Sequence, residues 1–140
     1  MYQDKISVEQ VVTLLEQRKI TATNQRVEIA HALLNRRGHF SADDVYMLVN
    51  TDRPRVSKAT VYNTLGLFSE QGILRQVIVD PSRVFYDVNV GPHHHFFDAD
   101  TGTLTDIPAD QVNIAGIPTL PAGAQLECVD VIVRIRSKAA

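Results

Sequence analysis

The residues best suited to chemistry are His93, His94 and His95, which follow one another in a chain of 140 residues. Alternation along an extended strand would place His93 and His95 on one face and His94 on the other. Asp87 precedes this run, and Asp106 follows it on the return strand of a predicted hairpin. Imidazole nitrogens and carboxylate oxygens together suit Fe(II), Mn(II) or Zn(II), and this donor set does not select among them.

A further histidine, His39, lies between Gly38 and Phe40, at a predicted hinge between two helices. A histidine in such a place is most often a helix cap or a core residue. If the C-terminal site recruits it, a bound metal would favour one angle between the two halves of the chain. The candidate metal ligands are therefore His39, Asp87, His93, His95 and Asp106.

Four helices in succession are predicted in the N-terminal half of the chain. The first begins with a capping box that has Ser7 as its N-cap. The second begins near Thr23, and Gly38 is typical of the residue that stops a helix. The third opens at Ser41, with acidic residues in its first turn, where the helix dipole favours them.

The fourth predicted helix has Ser57 as its N-cap and ends at Gly72, and its two faces differ. Val61, Leu65 and Phe68 form its buried stripe. The opposite face can contact the phosphates and base edges of DNA, and it includes Lys58, Thr60, Tyr62, Asn63 and Thr64.

Two β-rich runs follow, residues 73–79 and 83–88, with a turn at residues 80–82. Helices followed by a two-stranded ribbon indicate a winged helix-turn-helix, in which residues 57–69 would be the recognition helix and the hairpin would be the wing. A small helical domain without a DNA role is the alternative.

The remaining third of the chain predicts a small lobe. It reads as strand, turn and strand, then a short helical turn around residues 109–112, then a long strand over residues 125–136 in a dimer sheet. Cys128 is expected to pack as a small apolar side chain, with a regulatory thiol as the alternative. The predicted class is α+β, with a winged-helix DNA-binding domain at residues 1–88 and an α/β dimerisation and metal-sensing lobe at residues 89–140.

Composition restricts the function classes. The net charge of -2 does not by itself indicate nucleic-acid binding, and the single cysteine excludes an intrachain disulfide. No apolar run approaches the ~20 residues of a membrane span, and the N-terminus lacks an apolar signal core, so we expect a cytoplasmic protein. Lobes this small predict oligomerisation or a bound metal.

Three segments, residues 23–26, 38–46 and 57–65, resemble the ferric uptake regulator (Fur) superfamily in order and spacing. The resemblance covers nearly the whole chain. It implies a homodimer of winged helices and dimerisation lobes, joined by a regulatory metal site. Its ligands, carried over by position, are the five residues already named.

Residues 85–89, 93–97 and 129–136 look like the iron response regulator (Irr) branch. Asp106 as the last ligand is similar to the peroxide regulator (PerR) branch, since typical Fur proteins have Glu there. PerR-like proteins sense peroxide through iron-catalysed oxidation of a ligand histidine. The resemblance therefore makes His39 and His93 candidates for oxidation.

The sequence also departs from the family pattern. Most Fur and PerR proteins hold a structural zinc with two Cys-x-x-Cys pairs, and Asp98 and Thr101 stand where the first pair would be. A single cysteine, Cys128, excludes a four-cysteine zinc site. The Cys-Pro haem motif of some Irr proteins is missing, so haem would have to use the histidine run. His94 is the candidate for a second metal or a haem.

The resemblance implies repression of iron- or oxidative-stress-related genes through A/T-rich palindromic operators. Tyr62 and Thr60 would contact bases, Lys58 and Ser57 phosphate, and Asn63 an adenine. Lys19 and Arg26 complete the predicted DNA-contacting set. We expect no enzymatic activity; a metallohydrolase, and a metal storage or chaperone module, are the competing functions.

Overall fold

The computed structural model describes residues 5–36 and 38–137. The chain divides into an N-terminal unit, Met1–Val90, and a C-terminal unit, Gly91–Ala140. Among the helices of the described residues, none is long and apolar enough to cross a membrane. The helices and strands of the N-terminal unit are α1 (Val8–Gln17), α2 (Asn24–Leu34), β1 (His39–Phe40), α3 (Ala42–Val49), α4 (Lys58–Glu70), β2 (Arg75–Asp80) and β3 (Arg83–Asp87).

All four helices begin where they were predicted to begin, and a hydroxyl side chain caps each of them, as was predicted for Ser7 and Ser57. The N-caps Ser7, Thr23, Ser41 and Ser57 each accept a hydrogen bond from the backbone N–H three residues later. These bonds satisfy donors that have no partner inside the helix. The starts of the helices are therefore determined by local sequence, as predicted.

The ends of α1 and α4 share one geometry. Gly72 has φ +77°, and the N–H of Ile73 donates to the carbonyl of Phe68 at 2.9 Å. After α1 the same turn is made by Lys19, at φ 60°, and the N–H of Ile20 donates to the carbonyl of Leu15 at 2.9 Å. Both are Schellman turns, in which glycine is usual because it lacks a Cβ.

The predicted end of the second helix is wrong, since α2 stops at Leu34 and not at Gly38. Asn35 supplies the reason. Its side-chain amide donates to the carbonyls of His31 and Ile6, and its oxygen accepts from the N–H of Ile6. These bonds favour a helix end at Asn35, while Gly38, at φ +101°, leads into β1.

The core of the N-terminal unit lies where the four helices meet. Leu15, Ile29, Leu33, Leu65 and Phe68 are fully buried there. Thr64, predicted to face outward, is also buried, at 4% exposure. It lies three residues after Val61 and four before Phe68, so the helical repeat puts it on the inner face.

The N-terminal sheet has the strand order β1-β3-β2 and is antiparallel throughout. The β2–β3 hairpin is the predicted two-stranded ribbon, and its turn is held by Asp80, which accepts from the N–H and the hydroxyl of Ser82. The predicted hinge at His39 is instead the short strand β1, whose pairing with β3 depends on residues far away in the sequence.

The C-terminal unit is built on a second sheet, of order β5-β4-β6. Its elements are β4 (His93–Asp98), β5 (Thr103–Pro108), a 3₁₀ turn (Ala109–Gln111) and β6 (Ile132–Ile135). β4 pairs antiparallel with β5 and parallel with β6. The predicted hairpin, the helical turn and the α+β class are confirmed.

The long predicted strand over residues 125–136 is wrong in extent, because only four of its residues pair with β4. Its earlier part has no strand partner among the described residues. Cys128 lies in that part and is exposed, with Sγ 3.5 Å from the Asp130 carboxylate. The predicted apolar packing of Cys128 is therefore wrong.

Candidate metal centre and DNA-binding face

Two of the predicted ligands, His39 and Asp87, lie together in the N-terminal unit. They are directly opposite each other in the β1–β3 register, where side chains of one sheet face come closest. Nε2 of His39 is 3.2 Å from Oδ2 of Asp87, and both side chains are at least nine-tenths buried. The other carboxylate oxygen accepts the N–H of Asn89 at 2.9 Å, which fixes the orientation of Asp87.

The other three, His93, His95 and Asp106, lie together in the C-terminal unit. His93 and His95 share one face of β4, with ring centroids 4.6 Å apart, and Asp106 is opposite His95 in the register. Oδ1 of Asp106 is 3.6 Å from Nε2 of His93 and 3.4 Å from Nε2 of His95. The histidines are buried, whereas the Asp106 side chain is half exposed.

The chemistry of this group fits a divalent metal. Nδ1 of His93 lies 2.7 Å from the carbonyl oxygen of Gly91, and because a carbonyl only accepts, Nδ1 carries the proton. In the neutral ring, Nε2 then presents a lone pair towards Asp106. A lone pair and a carboxylate oxygen repel unless a proton or a cation lies between them, and a carbonyl behind a ligand histidine is the usual arrangement in metal sites.

His94 has a different environment from its neighbours. It is 7% exposed, and its Nδ1 accepts the N–H of Val131 at 3.0 Å. The N–H of His95 in turn donates to the carbonyl of Val131 at 3.1 Å. His94 therefore holds the chain at the entry to β6, and its Nδ1 is already occupied by this bond.

The predicted DNA-contacting residues of α4 differ in how accessible they are. Tyr62 is 47% exposed, and Asn63 is also exposed. The hydroxyl of Ser57 accepts the N–H of Thr60 and donates to its Oγ1, so it is occupied in the cap. Lys58 is exposed and lies 3.1 Å from Oδ1 of Asp43 on α3, a partner that the sequence analysis did not identify.

A groove of about 330 Å³ joins the first turn of α2 to α4. Arg26 lines it, and its guanidinium donates to the carbonyl of Thr21 at 3.0 Å. Lys19, by contrast, is an exposed residue of the turn after α1 and does not line this groove. Gln25 also lines it and was missed; its place in the first turn after Thr23 was the available signal.

The turn between α3 and α4 is organised by Asn50. Its Nδ2 donates to the carbonyls of Tyr46 at 2.7 Å and Val56 at 3.1 Å. Its Oδ1 accepts the N–H of Arg55 at 2.7 Å and of Val56 at 3.0 Å. One amide therefore connects the end of α3 with the segment that leads into α4.

The family model for the ferric uptake regulator family matches residues 17–128, most of the chain. The chain belongs to the ferric uptake regulator family. As a member of this family it is a metal-responsive transcriptional regulator. Family regulators are dimeric DNA-binding proteins.

A relative and two solved structures illustrate the similarity. The peroxide-responsive repressor PerR of Staphylococcus aureus is 31% identical over 106 residues, which cover 76% of this chain and 72% of the relative. The ferric uptake regulator of Pseudomonas aeruginosa with manganese has a TM-score of 0.67 at 22% identity, covering 91% of this chain and 97% of that one. A zinc uptake regulator complexed with zinc and DNA has a TM-score of 0.56 at 19% identity, covering 95% of this chain and 90% of that one. The family matches confirm the broader resemblance, and the two structures share the fold.

Proposed function

We propose that this family member is a dimeric repressor whose DNA affinity is set by one divalent metal, and that its two ligand groups bind the same ion. The observation that carries the proposal is the group in the C-terminal unit, where ligand atoms lie within 4.8 Å of one another and a carbonyl fixes the His93 tautomer. The proposed ligands are His39, Asp87, His93, His95 and Asp106.

The donor chemistry supports a single shared ion. Three imidazole nitrogens and two carboxylates make a five-donor N/O set without sulfur, which suits Fe(II) or Mn(II), and Zn(II) in purified protein. Neither ligand group alone offers more than three protein donors. Because the two groups belong to different units, binding one ion would favour one arrangement of the winged helix relative to the other lobe. The metal would supply positive charge and coordination geometry there.

The domain roles follow the same division. We assign DNA binding to residues 1–88 and dimerisation with metal sensing to residues 89–140. The face of α4 supplies base contacts through Thr60, Tyr62 and Asn63 and phosphate contacts through Lys58 and Ser57, with Lys19 and Arg26 beside it. The target would be an A/T-rich palindromic operator at genes of the iron or oxidative-stress response. The protein would act in the cytoplasm.

We place the chain near the Irr branch because of its histidine run and its C-terminal segment, with Asp106 as a PerR-like ligand. Similarity to a peroxide-responsive repressor supports a test of oxidation. After exposure of the Fe(II)-loaded protein to peroxide, mass spectrometry of peptides should find an added oxygen on His39 or His93. The Mn(II)-loaded protein is the control. Unmodified peptides after both treatments would remove peroxide sensing from the proposal.

The main experiment measures DNA affinity at fixed salt on a genomic operator pool, for apo protein and for protein loaded with Mn(II), Fe(II), Zn(II) or haem. We expect a change of about 5- to 150-fold between the apo form and one metal form, the usual range of coupling between two sites. His95→Ala should abolish the change. His31→Ala, a histidine on α2 outside the ligand groups, should retain it.

The outcomes separate the parts of the proposal. Failure of every form to bind duplex DNA would overturn the regulator function. DNA binding that metal does not alter, with His95→Ala equal to wild type, would overturn the metal site. A response to haem alone that His94→Ala removes would move the effector site to His94.

A further inference from the structure

Lys58 is the first residue of α4, and it is paired within the protein. Its ammonium group lies 3.1 Å from Oδ1 of Asp43, a first-turn residue of α3. The hydrogen bond and the charge of Asp43 raise the pKa of Lys58 above its ordinary value, so the lysine is charged and its charge is compensated. Both side chains are about three-fifths exposed, so DNA could reach them without rearrangement of the core.

The surroundings make this one charge important. Residues 1–80 hold ten Lys and Arg against nine Asp and Glu, so the DNA-binding half of the chain is nearly neutral. Sequence-independent DNA affinity comes almost entirely from cations that replace counterions on phosphates. A cation that an internal carboxylate neutralises is one fewer for phosphates, and Lys58 at the start of α4 is one of the ten in residues 1–80.

We propose that Asp43 determines DNA specificity by occupying Lys58 in place of a phosphate. The proposal rests on the DNA-binding function proposed above. In loose contact with an arbitrary sequence the Asp43–Lys58 pair stays intact, and Lys58 adds nothing to binding. Only when base contacts hold α4 in the groove is a phosphate close enough to replace Asp43 at the ammonium group.

The mechanism separates two classes of complex. Phosphate contacts position a protein on any duplex, whereas base contacts specify the sequence. The Asp43 carboxylate, by accepting from Lys58, therefore lowers the affinity for an arbitrary duplex by one phosphate contact. It lowers the affinity for the operator by less. Asp43 acts through Lys58, as a positioning residue that need not touch DNA.

The test is a double-mutant cycle in the metal-loaded dimer. Wild type, Asp43→Asn, Lys58→Ala and the double variant are titrated with operator and with scrambled duplex over a salt series. Asp43→Asn should bind scrambled duplex at least threefold more tightly than wild type. Its salt slope should steepen by about 0.9, the value for one added phosphate contact. Operator affinity should change less.

Controls decide whether the effect passes through Lys58. The double variant should bind scrambled duplex as Lys58→Ala does, because Asp43 then has no lysine to neutralise. Glu9→Gln, which removes an exposed first-turn acid from α1, should leave the scrambled-duplex slope unchanged. An Asp43→Asn effect that persists in the Lys58→Ala background would indicate plain repulsion of DNA and would overturn the proposal.

A polyanion separates this inference from the function on which it rests. Heparin replaces DNA as a source of anionic groups, and the salt needed to elute each variant from it is measured. Asp43→Asn should elute at higher salt than wild type, and only when Lys58 is present. If the protein is retained on heparin but binds no duplex, the regulator function is disproved, while the heparin data still test the Asp43–Lys58 pair. If wild type and Asp43→Asn elute at the same salt, the mechanism proposed for the pair is disproved.

Discussion

The two units differ in what fills their interiors. In the N-terminal unit the buried side chains are mostly aliphatic or aromatic and come from all four helices. In the C-terminal unit only Phe97, Leu104 and Ile107 are buried apolar residues among those described. The remainder of its buried set is polar: His93, His94, His95 and Asp98.

This difference shows how stability and sensing are divided. Apolar burial stabilises a fold whatever the metal concentration and largely whatever the pH. Buried histidines and carboxylates stabilise a fold only through their partners, and those partners include protons and ions. The stability of the C-terminal unit is therefore expected to respond to metal and pH more strongly than that of the N-terminal unit, where His39 and Asp87 form a buried pair.

The largest expected effect is on the apolar interior. Leu65→Ala should lower the free energy of unfolding of the N-terminal unit by about 2–5 kcal/mol, because Leu65 is fully buried among the helices. Leu104→Ala should lower the free energy of unfolding of the C-terminal unit by less, because Leu104 lies at the edge of a core with few apolar residues. Urea unfolding followed by circular dichroism measures both. Equal costs would show that the two interiors are more alike than their composition indicates.

The next effect concerns the polar attachment of β6. The Asp98 carboxylate accepts from the N–H groups of Asp100 at 2.9 Å and Thr101 at 3.2 Å, and it also accepts from Ser137. Asp100 in turn binds Arg136 at 2.8 Å. The four-residue strand β6 is mostly exposed, so we expect these bonds to hold it against β4.

Asp98→Asn should therefore accelerate hydrogen exchange of the β6 amides several-fold, because the amide cannot accept as a carboxylate does. Asp110→Asn, an exposed residue of the 3₁₀ turn, removes the same charge and is the control. An equal acceleration in Asp110→Asn would show that loss of a charge, and not loss of the Asp98 hydrogen bonds, loosens this strand.

The same carboxylate predicts a response to acid. The hydrogen bond from the Ser137 side chain holds the pKa of Asp98 below 3.8. The charged form is thus favoured by folding, so its stabilisation is present above pH 3.8 and is lost as pH falls through the lowered folded-state value. Exchange of the β6 amides should rise in that range in wild type, and Asp98→Asn should not show this step.

Helix capping gives a smaller effect, confined to the N-terminal unit. Ser41→Ala removes the acceptor for the N–H of Asp44 and should destabilise that unit by about 1 kcal/mol. Thermal unfolding measures the loss. Ser82→Ala, in the turn of the hairpin, is a comparison outside any helix. If Ser41→Ala leaves the metal affinity unchanged, then loss of stability in the N-terminal unit does not affect metal binding.

The smallest effect has the opposite sign. Lys19 makes the turn after α1 at φ 60°, where a Cβ is unfavourable. Lys19→Gly should stabilise the N-terminal unit by about 0.5–1 kcal/mol, since relief of strain exceeds the added freedom of the unfolded chain. Chemical denaturation measures it. Any loss of DNA affinity in the same variant would support the proposed contact of Lys19.

Sequence alone predicts the features that depend on neighbouring residues. The helix starts at Ser7, Thr23, Ser41 and Ser57, the hairpin turn, and the shared face of His93 and His95 all follow from spacings of two to four residues. For this reason local spacing is sufficient to predict the starts of the helices and half of the candidate site.

The features that were missed depend on distant partners. The helix end at Asn35 depends on Ile6, and strand β1 depends on pairing with β3. The pairing of Lys58 with Asp43 depends on the packing of α3 against α4. The exposure of Cys128 depends on where β6 begins, because Cys128 lies four residues before that strand, and no local pattern encodes that position.

Asn50 has a consequence for how this regulator can diverge. Its amide fixes the segment that leads into α4, although it lies at the end of α3 and outside the proposed DNA-contacting set. Aspartate at this position would have no donor for the carbonyls of Tyr46 and Val56. Inherited changes at residue 50 could thus retune operator affinity in a lineage while the amino acids that read the operator stay the same.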